Sequence, residues 1–232
     1  MPKIFYNKLR NSSQRITKLN IYKPYRRLEK TLIEAEAVAI LQKMASTPKY
    51  YPKWPLDPTR VAEFLGLDTE IIDLPWEGEG AIAAMIWPVE HKIFINENSD
   101  ELPKGFQESS IAHEIGHWIL HVDHKQVEIY QEKQNLGLET FPPPPLNRLY
   151  RGKEQNSIER QAQYFAGCLL MPRYILEEKC QGRDLTIWPH LYAMRDELGV
   201  TISNLTNRLV DLGWIHIPKN SKQIYLGNTQ HQ

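Results

Sequence analysis

From Phe106 to about Val122 the apolar residues Ile111, Ala112, Ile115, Ile119 and Val122 recur at helical spacing, and that helix carries His113-Glu114-Ile115-Gly116-His117. Two histidines four residues apart on a helix stand one turn along the axis and about 40° round from one another. Both imidazoles can therefore reach a single ion. Glu114 lies about 100° round from His113, able to face a water on that ion but badly placed to join the same coordination plane. Its fitting task is general base. Zinc suits imidazole and carboxylate donors, and a catalytic zinc keeps three protein ligands and leaves one position for water. The expected chemistry is hydrolysis of a peptide bond by a metal-bound water that Glu114 deprotonates, the proton passing later to the leaving amine.

The third ligand decides the class. An elongated HExxHxxGxxH pattern would need glycine at 120 and histidine at 123, whereas the chain has Leu120 and Asp123. His121 shares the face of His113 and His117, but three ligands on successive turns of a straight helix span about 12 Å and cannot converge on one ion. A carboxylate from a second helix fits better. Glu159 opens a predicted helix from Ser157 to Met171, in which Ile158, Ala162, Phe165, Ala166 and Leu169 form the apolar face. The small Ala162 and Ala166 would let the two helices approach closely. Glu154, ahead of that helix, is the weaker rival. The metal set read from the chain is thus His113, His117 and Glu159, with Zn2+ as cofactor and Glu114 as the catalytic base. That is the gluzincin-type arrangement, expected of an endopeptidase.

Around these two helices the order of elements predicts an α+β fold: a zincin-like metallopeptidase domain with a small antiparallel sheet and the HExxH helix, followed by a winged-helix-like helical lobe. Thr31 is placed as the cap of a first helix running to about Met44, with Leu32, Ala35, Ala39, Ile40 and Leu41 apolar. A short helix starts at Thr59 and stops at Gly66. Strands are read at Leu67 to Leu74, Ala81 to Trp87 and Lys92 to Asn96, the last two as a hairpin. Residues 124 to 156 read as a polar surface excursion, stiffened by Pro142 to Pro145. Two helices, about Ile187 to Leu198 and Ile202 to Leu212, precede short strands near Trp214 to Ile217 and Gln223 to Leu226. The expected organisation is a basic arm at 1–20, the peptidase domain at 21–178 and the lobe at 179–232.

Charge narrows the partners. The 28 basic and 28 acidic residues balance, so no global field favours nucleic acid or a membrane surface. Residues 1 to 30 are the exception, with nine Lys or Arg against Glu29 alone. Two cysteines, Cys168 and Cys180, are too few for a disulfide scaffold, and neither a signal peptide nor a run of about 18 apolar residues is present. A cytoplasmic protein with no membrane attachment is expected.

The chain also resembles the ImmA/IrrE family of bacterial metallopeptidases. The resemblance rests on Ala112 to His121 (AHEIGHWILH), on Glu159 to Ala166 (ERQAQYFA) and on Leu169-Leu170-Met171-Pro172, and covers roughly residues 21 to 215. It implies that His113, His117 and Glu159 hold zinc and that Glu114 is the base. It further implies a protein substrate, such as a helix-turn-helix repressor in the same cytosol. Two departures stand out: Gln163 replaces the family's Asn or Asp, and residues 125 to 156 are longer and richer in proline than the pattern suggests. By analogy with other zinc peptidases, Ala81 to Trp87 would be an exposed strand on which an extended substrate pairs.

Two rival readings come from the same residues. Arg195 to Leu212 outlines helix, turn and second helix, with Ser203, Asn204, Thr206, Asn207 and Arg208 on the second, as in a DNA-binding transcriptional regulator. Only Arg208 is basic there, and phosphate attraction needs several cations, so direct DNA binding is the weaker reading. A protein-binding module holding zinc without turnover is the other, against which the intact Glu114 argues. Trp118, Tyr164 and Cys168 read as packing residues, Tyr164 with a secondary reading as oxyanion donor. His121 and His124 read as surface groups or supports of the ligands.

Overall fold

The computed structural model describes residues 20–73, 76–77, 80–81, 83–97, 105–138, 143 and 153–227, with backbone alone at 76–77, 80–81 and 153–155. The basic arm through residue 19, the Glu154 side chain and all but residue 143 of the 141–145 segment lie outside that description. Helix α1 is Lys30–Ala45, and α2 is Pro58–Phe64. Strand β1 (Asp68–Ile72) leads to a two-residue pairing of β2 (Trp76–Glu77) with β3 (Gly80–Ala81), then to β4 (Ala84–Trp87) and β5 (Lys92–Asn96). The HEIGH helix, α3, is Phe106–Leu120, and α4 is His124–Asn135. Next come α5 (Lys153–Leu170), α6 (Arg173–Cys180), α7 (Trp188–Leu198), α8 (Ile202–Asp211) and the strand pair β6 (Ile215–His216) with β7 (Tyr225–Leu226).

Helix α1 buries Ile33, Ala37, Ile40, Leu41 and Met44, which recur at 3.6-residue spacing. The expected face is turned: Leu32 is 40% exposed, and the helix starts at Lys30 after Glu29 rather than behind Thr31. At α2 the start is set by Pro58 at the first helical position and by Asp57, whose carboxylate accepts from the Thr59 N–H.

The three-stranded sheet has the order β1-β5-β4, and it is mixed, not antiparallel. β4 and β5 form the expected hairpin, whereas β1 runs parallel to β5, with Asp68 opposite Lys92 and Ile72 opposite Asn96. Burial bears on the order of the strands, not on their sense. Ile93, Ile95 and Asn96 of β5 are buried, which requires a central position, while β1 is exposed along its length as an edge can be. The excursion between β1 and β4 lets the chain re-enter on the far side.

Residues 124 to 135, expected as a surface loop, are helical. Asp123 caps α4 by accepting from the Gln126 N–H, and Val127 and Tyr130 are its buried anchors. The period is hard to see because ten of the twelve residues are not buried. One apolar cluster joins α1, the sheet, α3 and α5 to Leu191, Met194, Leu198, Leu205 and Leu209 of the C-terminal helices. The turn between α7 and α8 rests against the start of α3: Gly105 has φ +85°, and a Cβ there would run into the Val200 backbone.

Candidate active site

Two helices and one strand edge build the site. α3 and α5 pack with their backbones unusually near, because Gly116 of α3 sits over Ala162 of α5. A Cβ on Gly116 would lie 3.1 Å from the Ala162 Cα, the Ala162 carbonyl and the Phe165 ring. That contact brings Glu159, about one turn before Ala162 on α5, over the histidine face of α3. His113 Nε2 is 2.9 Å from His117 Nε2 and 3.0 Å from Glu159 Oε2, and His117 Nε2 is 3.5 Å from the same carboxylate oxygen. Among the described residues these are the group of His, Cys, Asp or Glu side chains placed to hold one ion.

The donor set fits zinc. Ligands about 2.0–2.1 Å from a tetrahedral ion stand roughly 3.3 Å apart, and the three separations bracket that value. Two imidazoles and a carboxylate are the ligand types of a catalytic site, and His113 also lines a cleft. Asp123 is occupied as the cap of α4 and is no ligand. His121 likewise stays off the ion's position, but it is not at the surface: it is 6% exposed, with its Nδ1 3.0 Å from His117 Nδ1.

Charge in the cluster is arranged by burial and by the partners. Burial alone would raise the Glu159 carboxyl, yet the bonds to His113 and His117 outweigh it and hold the group below the usual carboxylate range. Burial works against protonation of His113, but Glu159, Glu114 and the Gln163 side chain prevail, and its pKa is raised. Gln163 lines the same cleft as His113 and Glu114. Glu114 is pushed up by burial, opposed by His117, His113 and the Ile86 N–H. His121 is pushed down to about 3, by burial first and His117 second.

Glu114 Oε2 accepts from the Ile86 N–H of β4 at 2.9 Å, which aims the carboxylate along the strand edge. Just before β4 the Ala83 carbonyl accepts from the Asn96 N–H of β5, so the alternate residues Ala84 and Ile86 turn their backbone groups to the edge that pairs with no other strand among the described residues. That edge borders a cleft of about 650 Å³ lined by His113, Glu114, Ala84, Phe106, Gln163 and Asn204, among others. The C-terminal helices form its other wall.

Of the polar residues of α8 read as a possible DNA reader, Thr206 and Arg208 are buried and Asn204 is half-buried, whereas Ser203 and Asn207 are exposed. Arg208 is 2% exposed and pairs with Glu34 at 2.5 Å while donating to the Met171 carbonyl and the Tyr164 hydroxyl. Asn204 donates to Ser109 of α3. Tyr164 is accordingly held by Arg208 and does not line the cleft. Trp118 is buried, stacked on His124 with centroids 4.3 Å apart, and Cys168 is core.

Residues 62–209 match the IrrE N-terminal-like domain, Peptidase M78, over more than half of the chain. The chain belongs to this ImmA/IrrE family of peptidases. The His113, His117 and Glu159 cluster lies inside the matched M78 region. Among solved structures, a Mycobacterium tuberculosis transcriptional regulator is similar at 15% identity with a TM-score of 0.46, covering 78% of this chain and 52% of that one. The chain thus spans about half the length of that regulator. No curated protein matches the chain. No helix among the described residues is long and apolar enough to cross a membrane.

Proposed function

We propose that the chain is a zinc-dependent endopeptidase of the gluzincin type, with His113, His117 and Glu159 as ligands and Glu114 as general base. The observation that carries this reading is the convergence of three donor atoms from α3 and α5 beside a carboxylate aimed along a free strand edge. Zinc, when bound, supplies Lewis acidity toward a carbonyl oxygen and acidifies water. This chain's residues do the rest. Glu114, its pKa raised by burial, is suited to taking a proton and returning it to the departing amine. The Ile86 N–H fixes its direction. Ala84 offers its N–H and C=O to a substrate segment running along β4, which holds that segment extended across the cleft.

The substrate is a protein of the same compartment, with a helix-turn-helix repressor as the first candidate on family resemblance, and the compartment is the cytosol. The inward commitment of Arg208 and Asn204 favours α8 as a wall of the cleft over a DNA reader. Co-expression with candidate repressors tests the reading. Wild type should cleave one of them and Glu114→Gln should retain zinc without cleaving, because the amide still accepts from Ile86 but cannot take the proton. Cleavage that survives in Glu114→Gln would reject the base. A wild type that takes up zinc and cleaves none of the repressors would reject the substrate class.

A further inference from the structure

Behind the cluster, a chain of hydrogen bonds leads away from His117 and ends on a backbone carbonyl outside the matched family region. Its direction follows from the far end. The Arg26 carbonyl can only accept, so Gln161, 3.1 Å away, presents its amide NH2 there and turns Oε1 toward His121. His121 Nε2, 3.1 Å from that oxygen, must then donate, which leaves His121 Nδ1 a bare acceptor. That nitrogen lies 3.0 Å from His117 Nδ1, which must carry the proton. His117 Nε2 is consequently the bare lone pair, and it is the atom that faces His113 and Glu159. Each link permits one assignment of the next.

The segment that supplies the carbonyl is itself fixed to the end of α3. The Lys23 N–H donates to the His121 carbonyl at 2.8 Å, and the Asp123 N–H donates to the Ile21 carbonyl at 2.8 Å. Lys23 Nζ donates to the Ile119 carbonyl at 2.9 Å, and Tyr22 bridges Val122. The two bonds from Lys23 use carbonyls, those of Ile119 and His121, that a helix C-terminus leaves unpaired. The strap therefore anchors the relay at the same helix end that carries His121.

We propose that His121 and Gln161 are positioning residues that set the tautomer and ring orientation of His117, with the strap at residues 20–28 as their anchor. The inference rests on the reading of His117 as a metal ligand. Loss of such an outer partner lowers metal affinity by about 10–100-fold. The test measures zinc affinity of the full chain by chelator competition, together with the His117 tautomer from long-range 1H–15N correlation.

His121→Leu removes the acceptor and should lose affinity by that range with a mixed His117 tautomer. His121→Asn, whose Oδ1 falls near the place of Nδ1, should bind zinc within a few-fold of wild type. Gln161→Leu should show a smaller loss than His121→Leu. Wild-type affinity and tautomer in His121→Leu, or equal losses in Leu and Asn, would overturn the relay. Should His121→Leu fail to fold, Gln161→Leu decides: an unchanged affinity and tautomer there reject the proposal. A wild type that binds no zinc defeats the ligand assignment, and the relay with it.

Discussion

Gly116→Ala isolates the contact that holds the two ligand-bearing helices together. The added Cβ meets the Ala162 backbone and the Phe165 ring at 3.1 Å, against 3.4–4 Å for ordinary contact, so α3 and α5 must part by a few tenths of an ångström. Neither neighbour yields easily, since one is helix backbone and the other a fully buried ring. Overpacking of this kind costs about 1–3 kcal/mol, and replacing glycine by alanine within a helix returns about 0.5–1 kcal/mol. The expected net effect is a loss of about 0–2.5 kcal/mol. The same separation moves Glu159 relative to both histidines, and zinc affinity should fall on the order of tenfold. Gly167→Ala is the matched control: its Cβ would meet only Arg208 Cδ, at 3.8 Å, so it should stabilise by about 0.5–1 kcal/mol and leave zinc binding unchanged. Urea unfolding of the two variants and chelator competition read both effects. If Gly116→Ala stabilises as much as Gly167→Ala and binds zinc as tightly as wild type, the close approach is not what positions Glu159.

Ala84→Pro removes one N–H from the free edge of β4 without breaking its ladder to β5, so cleavage of a protein substrate should drop while zinc content stays constant. Glu34→Ala strands the buried Arg208 guanidinium and should cost about 3 kcal/mol in urea unfolding, a loss that Glu63→Ala, at the exposed Lys49 pair, should not show. Burial pushes the Cys168 thiol up to about 12, so at pH 8 only about 1 in 10,000 molecules carries the thiolate there, and iodoacetamide should label Cys168 only on unfolding.

The parts of the site that depend on one helix at a time were legible in the residues. His113, Glu114 and His117 follow from a local period, and Glu159 from a second amphipathic helix with small residues on its buried face, although that helix begins at Lys153 and not at Ser157. Contacts that need both helices were not. Gly116 looks like any helical glycine until Ala162 is beside it, and His121 shows only which face it shares, since Gln161 stands forty residues on and Arg26 earlier still. β1, β5 and the Ala84–Trp87 part of the strand read at Ala81 to Trp87 were readable, but the pairing of β2 with β3 was not, and the direction in which β1 pairs depends on where the chain re-enters after its excursion. α4 was hidden because its polar residues outnumber its anchors Val127 and Tyr130. The helix-turn-helix outline of α7 and α8 was visible, whereas the inward turn of Arg208 is decided by Glu34, on α1.

Calorimetric titration of the metal-free full chain with zinc, in parallel with Glu159→Ala, tests the central claim most directly. One zinc per chain is expected in the wild type and, with a ligand gone, an affinity at least about a hundredfold weaker in Glu159→Ala. Wild type that takes up no zinc, or Glu159→Ala that binds it as tightly as wild type, would contradict the three-ligand centre.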